Sequence, residues 1–325
     1  MTSVRSTSDA YSFFVEGPRR WRWHLYSSRL IEALGKYAFY DNRSSGKRNG
    51  PFSRSHFRME MIWLGLSCGP IGLGDPVGRE KLRLIRRVIL EDGAIIKPDA
   101  PAKPLDRCFL LRPDGRNVRE SATVCASSAI PVDGRESAPY RIFYLLSINM
   151  HPRGKGGLLS FSLAEAGAMQ RQSYAVWDME TEHMETKGGI DLLVLKMGRS
   201  RYRYQIAAPI HDGIAFLGDI SKNVSAGRLL IQSIRQEPGH LVIQGRMAGN
   251  GPARWLFHTE RRVWEANLNG VHLPCKWNGS TLFLEADGLP APQPETSHPE
   301  TSQQAEESGS YRLELYYEKE GGRHP

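Results

Sequence analysis

Residues 61–78 read MIWLGLSCGPIGLGDPVG, and the way this stretch folds decides the architecture of the first third of the chain. The apolar run 61–66 is short and is closed by glycine and proline, a pattern that reads as a buried strand. Beyond the corner at 69–78, Leu82, Ile85, Val88 and Ile89 share one stripe while Arg83, Arg86 and Arg87 fall elsewhere. That spacing predicts an amphipathic helix over 79–90, with Asp75 as N-cap and Pro76 at the first helical position. A strand, a glycine-rich corner and a helix is where α/β proteins hold phosphates, cofactors or sugars.

Upstream, Leu30, Ile31, Leu34 and Tyr37 recur at helical spacing within 28–37, and a loop rich in glycine, serine and arginine follows at 42–55. After about residue 105 the character changes. Short runs rich in β-branched and aromatic residues occupy 140–149, 158–163, 173–178, 190–197, 202–207, 214–217, 229–234, 240–247 and 281–285. Their spacing is that of an antiparallel sandwich. Residues 289–310 are rich in Pro, Glu, Ser, Thr and Gln and poor in large apolar groups, which predicts a mobile loop or linker. The alternation in 311–317 then predicts one last strand returning to the sheets.

The 325 residues are enough for two domains. Net charge is +8, and residues 1–60 supply eleven Lys/Arg against five Asp/Glu. Aromatics interleave with that charge in Arg19-Arg20-Trp21-Arg22-Trp23-His24-Leu25-Tyr26, a pattern able to grip phosphates and bases. A solvated basic face with its aromatics packed inward is the simpler reading, because no zinc-finger, RNA-recognition or helix-turn-helix pattern accompanies it. Cys68, Cys108, Cys125 and Cys275 are far apart and read as reduced thiols. The ten histidines show no ligand spacing, so neither a metal nor a cofactor is expected. The N-terminus lacks a secretory pattern and no apolar run approaches a spanning helix, which predicts a soluble, cytoplasmic protein without membrane contact.

Gly72 and Gly74 have the first spacing of the dinucleotide fingerprint, but the third glycine, Gly78, comes one residue late. Pro76 and the Asp75 carboxylate also occupy ground that a pyrophosphate needs for free amides and no negative charge. A carboxylate just past a strand end suits a sugar hydroxyl better, since it accepts two hydrogen bonds in fixed geometry. Capping the next helix would occupy Asp75 equally well, and both roles stand open.

The string 69–78, the following Glu91-Asp92-Gly93-Ala94-Ile95-Ile96-Lys97-Pro98-Asp99, and Pro104-Leu105-Asp106-Arg107-Cys108-Phe109 resemble the end of the catalytic barrel in glycoside hydrolase family 36, in the raffinose-synthase and alkaline α-galactosidase branch. Farther on, Ala208-Pro209-Ile210 and the stretch 213–219 with Lys222 resemble the C-terminal sandwich of such enzymes. The resemblance implies an α/β then all-β fold: the terminal portion of a (β/α)8 barrel at 1–104, an antiparallel β-sandwich at 105–288, a linker at 289–310, and a final strand and tail at 311–325. It also implies a glycoside hydrolase-like protein acting on or binding α-galactosyl-type carbohydrates, with Asp75 and Asp41 on the substrate rim.

The family's catalytic motifs, K-W-D and R-x-D, are missing upstream of residue 69, and Arg112-Pro113-Asp114 lies beyond the last barrel strand. A chain that is incomplete or inactive alone is therefore expected, with no catalytic residue assigned. Its expected partners are a carbohydrate ligand and a second chain, or a copy of itself, completing the barrel. Two other readings stand beside this one. The first is a non-catalytic carbohydrate-binding or scaffold protein in which Trp177, Trp255, Trp264 or Trp277 stacks on sugar. The second is a basic nucleic-acid-associated protein using residues 19–26.

Overall fold

The computed structural model describes residues 3–5, 18–39, 57–109, 121–133, 139–150, 156–197, 202–249, 251–289 and 309–318. Its first elements are β1 (Ser3–Arg5), α1 (Pro18–Ala33), β2 (Tyr37–Phe39), α2 (Phe57–Leu66), α3 (Leu82–Ile85) and β3 (Ala100–Pro104). Strands dominate from there: β4 (Ser121–Ile130), β5 (Tyr140–Asn149), β6 (Gly157–Ser162), β7 (Ser173–Asp178), β8 (His183–Gly188), β9 (Leu192–Met197) and β10 (Tyr202–Pro209). The remainder are β11 (Ile214–Asp219), β12 (Ile231–Glu237), β13 (His240–Arg246), β14 (Ala253–Thr259), β15 (Val263–Leu268), β16 (Val271–His272), β17 (Lys276–Asn278), β18 (Thr281–Ala286) and β19 (Ser310–Tyr317).

Three antiparallel sheets hold most of these strands, in the orders β3-β4-β5-β10-β7-β8, β11-β14-β18-β17 and β12-β13-β19-β15-β16. A separate pair, β6-β9, is also antiparallel. The alternating segment 311–317 forms β19 and lies between β13 and β15. Because successive side chains of a strand point to opposite faces, the four-stranded sheet can address two neighbours. From one face Trp255 donates its indole N–H to the Tyr311 hydroxyl of the five-stranded sheet at 3.0 Å. On the adjacent strand, Phe283 stands one residue off the Trp255 register and meets Trp177 of the six-stranded sheet edge-on, with ring centroids 5.7 Å apart.

The run expected as a strand at 61–66 is instead part of helix α2. Met59 through Leu66 are all buried, so the segment is enclosed on every side and, Glu60 apart, its pattern carries neither the helical nor the strand period. Local propensity decides in favour of helix, since Met, Leu and Glu outnumber β-branched residues there. The helix expected at 79–90 is a single turn, Leu82–Ile85. To reach Leu90 the helix would need the Leu90 amide on Arg86 O, but that amide donates to Ala94 O at 2.8 Å and the Lys222 ammonium takes Arg86 O. The Ile96 amide donates to Val88 O at 2.9 Å, so 88–96 folds back on itself. The helix expected at 28–37 starts earlier, at Pro18, and buries Trp21, His24, Leu25, Ser28 and Ile31 while Leu30 and Leu34 face solvent.

With a helix where the barrel strand was expected, no portion of a (β/α)8 barrel stands among the described residues. The first part of the chain instead packs α1 and α2 beside a short parallel pair, β1 and β2. Cys68 bridges Ala38 in parallel, and the next residue must be glycine, because a Cβ on Gly69 would lie 2.3 Å from the Ala38 carbonyl oxygen. Glu60 on α2, itself buried, accepts the Trp21 indole N–H from α1 at 3.0 Å. No helix among the described residues is long and apolar enough to cross a membrane.

Tyr311→Phe removes the acceptor of a buried indole N–H and leaves the ring in place. We expect a loss of about 1–3 kcal/mol in unfolding free energy by chemical denaturation, with unchanged far-ultraviolet circular dichroism.

Candidate functional site

Asp75 sits half-buried on an irregular loop beyond α2, not at the end of a strand. The chain turns directly after it: the Arg79 amide donates to the Pro76 carbonyl at 3.0 Å and Gly78 takes a positive φ of 79°. The short helix α3 begins later, with Lys81 at its N-cap and no side-chain cap bond. The capping role considered for Asp75 is therefore not realised. Leu73 and Val77 beside it are exposed, Val77 almost completely. Asp41, its expected companion on a common rim, lies outside the described residues.

Two charged clusters form inside the fold. In the first, the buried Asp219 accepts the Ser221 amide at 2.9 Å and the Arg254 amide at 3.0 Å on one oxygen. Lys222, also buried, donates to Arg86 O at 2.6 Å and Ile89 O at 3.3 Å. Arg87 donates to the Asn223 side chain at 3.0 Å and to Ile220 O at 3.1 Å. Burial pushes the Asp219 carboxyl above its ordinary pKa, against the pull of the Ser221 and Arg254 hydrogen bonds and Lys222. Burial lowers Lys222 to about 8, with Asp219 opposing it. Each group is held by protein partners within the fold, which is the arrangement of a structural clasp.

The second cluster lies where α2 meets the six-stranded sheet. Arg58 pairs with Glu180 at 3.3 Å and Arg203 with Asp178 at 3.0 Å. Asp178 also accepts the Glu180 and Thr181 amides at 2.9 and 3.0 Å, which shapes the β7–β8 turn. The Tyr202 phenol beside Glu180 is raised in pKa, first by burial and then by the carboxylate. Each carboxylate here answers an arginine.

The outer face of the five-stranded sheet is different, because its polar groups meet solvent. Cross-strand register places Glu265 opposite Tyr316, Asn267 opposite Glu314 and His240 opposite Tyr316. The His240 and Tyr316 rings stack at 4.4 Å with planes 11° apart. Glu314 is bound by His240 at 3.2 Å and by Arg312 at 2.9 Å. Burial alone would raise the Glu314 pKa, but Arg312 and His240 hold it below the usual value. Asn267 donates to Glu265 at 2.9 Å. The ladder shifts register between Val263 and Glu265, so Trp264 stands at a β-bulge and is 55% exposed. A bulge re-aims a side chain and is common beside binding sites.

Of the four tryptophans considered for sugar stacking, Trp177 and Trp255 are buried between sheets, while Trp264 and Trp277 are exposed. The polar outer face was missed from the sequence. Its signal was the alternation of 311–317, which sets Arg312, Glu314 and Tyr316 on one side and Leu313, Leu315 and Tyr317 on the other. Among the described residues no group of three or more His, Cys, Asp or Glu is placed to hold a metal. Cys68, Cys108 and Cys125 are free and buried, and Cys275 is free and half-buried. No protein-family model matches the chain, and no curated protein matches it significantly.

The depressed pKa of Lys222 has a measurable consequence. A folded-state value near 8 against an unfolded value near 10.5 means that the unfolded chain binds more protons between those limits. Stability contributed at this site therefore rises with pH across that window, by about 1 kcal/mol per unit. Denaturation midpoints converted to free energies from pH 8 to 10 should rise more steeply in wild type than in Lys222→Met, which removes the titrating group.

Proposed function

We propose that this chain is a carbohydrate-binding β-sandwich protein of the glycoside hydrolase family 36 kind, which recognises α-galactosyl-type sugars and does not hydrolyse them on its own. The observation that carries the reading is the solvent-facing constellation of Trp264, Tyr316, Glu265, Asn267 and Glu314 on one sheet surface. A pyranose presents an apolar face of C–H groups that stacks on an aromatic ring, and a rim of hydroxyls that needs acceptors and donors at the ring's edge. Tyrosine and tryptophan, with an apolar body and a polar tip, suit that partly wet contact. The carboxylates and the carboxamide beside them can accept and donate to neighbouring hydroxyls.

The reading of no turnover rests on the missing K-W-D and R-x-D motifs upstream of residue 69, and the interior carboxylates support it. Retaining glycosidases need two carboxyl groups about 5 Å apart facing a shared substrate. Asp178, Glu180 and Asp219 are each engaged by arginines or backbone amides within the fold. The resemblance at 69–109 gives the sugar class, and Asp75 remains a second point at which a sugar hydroxyl could be held.

Isothermal titration with galactose, melibiose and raffinose tests the reading. Wild type should bind the α-galactosides with millimolar to high micromolar affinity, and Trp264→Ala should weaken binding at least about tenfold, equivalent to about 1.4 kcal/mol, without moving the thermal midpoint. If Asp75→Ala abolishes binding while Trp264→Ala leaves it intact, the ligand sits on the 69–78 loop and the sheet face is wrongly assigned. Hydrolysis of an aryl α-galactoside by the purified chain would overturn the claim that it is inactive alone.

A further inference from the structure

The β6–β9 pair carries large apolar groups on both of its faces. Leu159, Phe161, Leu193, Leu195 and Met197 are buried on the side that joins the core. On the other side Leu158 is 76%, Val194 60% and Leu192 55% exposed. The register pairs Leu158 with Lys196, Ser160 with Val194 and Ser162 with Leu192, so these side chains form one continuous surface. Ile190 and Met169, both exposed, flank its end: Gly189 lies between them, so close to Met169 that a Cβ would be 2.1 Å from the Met169 carbonyl oxygen. An antiparallel pair with one face in the core ordinarily turns polar residues to water. Five large apolar groups grouped in this way instead mark a contact surface.

We infer that this face joins two copies of the chain in a two-fold dimer, with the axis passing Val194 and running across the strands. A two-fold interface must be complementary to itself, and the charges at the ends of β9 meet that condition. Lys196 stands near one end and Asp191 just before the other, and both are exposed. Laying β9 antiparallel over its copy sets Val194 against Val194 and Leu192 against Lys196. The Lys196 ammonium then reaches toward Asp191 of the second copy at both ends of the contact. The apolar surface offered is a few hundred Å², below the ~800 Å² per partner of a standard stable interface. The dimer is accordingly one of micromolar affinity, in exchange with monomer.

Sedimentation velocity over a concentration series of the full chain tests this. Wild type should shift from monomer toward dimer by about 100 µM, and Val194→Asp should weaken association at least about tenfold with an unchanged melting temperature, since the side chain faces water in the monomer. Geometry is tested by cross-linking in a Cys275→Ser background. Packed sheets stand about 10 Å apart, too far for a direct disulfide. A short bismaleimide should therefore join Val194→Cys to its copy, whereas Leu158→Cys, which faces Ser162 of the second copy, should not be joined. A chain that stays monomeric at about 100 µM, a dimer indifferent to Val194→Asp, or equal cross-linking at both positions would each overturn the proposal. Association that depends on Trp23 or Leu30 of α1, or on Leu34 just after it, all exposed, would place the contact elsewhere and likewise overturn it.

Discussion

The loop that follows β11 carries the constraint on which the remaining packing depends. Asp219 and Lys222 are buried three residues apart, and neither can remain charged in an apolar interior without partners. Their partners come from different parts of the chain: β14 through the Arg254 amide, and the segment after α3 through the carbonyls of Arg86 and Ile89. The six-stranded sheet adds two tyrosines. Tyr204 donates to Asn223 O, and Tyr144 accepts the Ala226 amide at 3.0 Å. One short loop thus ties the segment after α3, the six-stranded sheet and the four-stranded sheet together. Gly218 before it has a φ of 91°, and a Cβ there would lie 2.4 Å from Ser225 O, so the loop closes on itself only with glycine at that position.

A buried charge cluster is weak evidence for added stability, because desolvation offsets much of the attraction. Its clearer effect is on geometry. Hydrophobic contacts between sheets are non-directional and would tolerate sliding, whereas Lys222 reaches two particular carbonyls only when the segment 86–89 lies in one place. The same bonds explain why α3 is so short. Continuing the helix to Leu90 would have required Arg86 O for the Leu90 amide, which instead bonds Ala94 O, and tertiary demand overrode the propensity of 79–90.

The strands were legible because runs of β-branched and aromatic residues are bounded by turn residues, even where, as in 140–149 and 173–178, both faces are buried. Segments such as 140–149, 173–178 and 240–247 have β-branched and aromatic residues bounded by turn residues, and each is a strand with nearly those limits. Residues 61–66 read as such a run too, and, buried all round, they have no polar side to reveal the helical period. The tryptophans show a further limit. Trp255 and Trp264 both sit in strands of ordinary alternation, yet one is sealed against Tyr311 and the other is turned out by a register shift. A bulge depends on how two strands distant in sequence meet, and a single strand's residues do not encode it. Asp219 and Lys222 stood within the stretch that resembles the sandwich of the sugar enzymes, but their service as an interior clasp emerges only from their partners.

The outer face of the five-stranded sheet follows from the same rule that buries Leu313 and Leu315. Once those residues and Tyr317 are committed to the core, the period of the strand obliges Arg312, Glu314 and Tyr316 to face away from it. What then distinguishes this surface from an ordinary solvated one is cross-strand agreement. His240 stacks on Tyr316 and shares Glu314 with Arg312, while Asn267 is bonded to Glu265 one strand over. Side chains held by one another lose less rotamer entropy when a ligand arrives. On the reading proposed above, a sheet with its polar groups already oriented holds a small polyhydroxylated ring better than the irregular loop 69–78 does. The sequence draws the eye first to that loop, and the sheet supplies the more ordered surface.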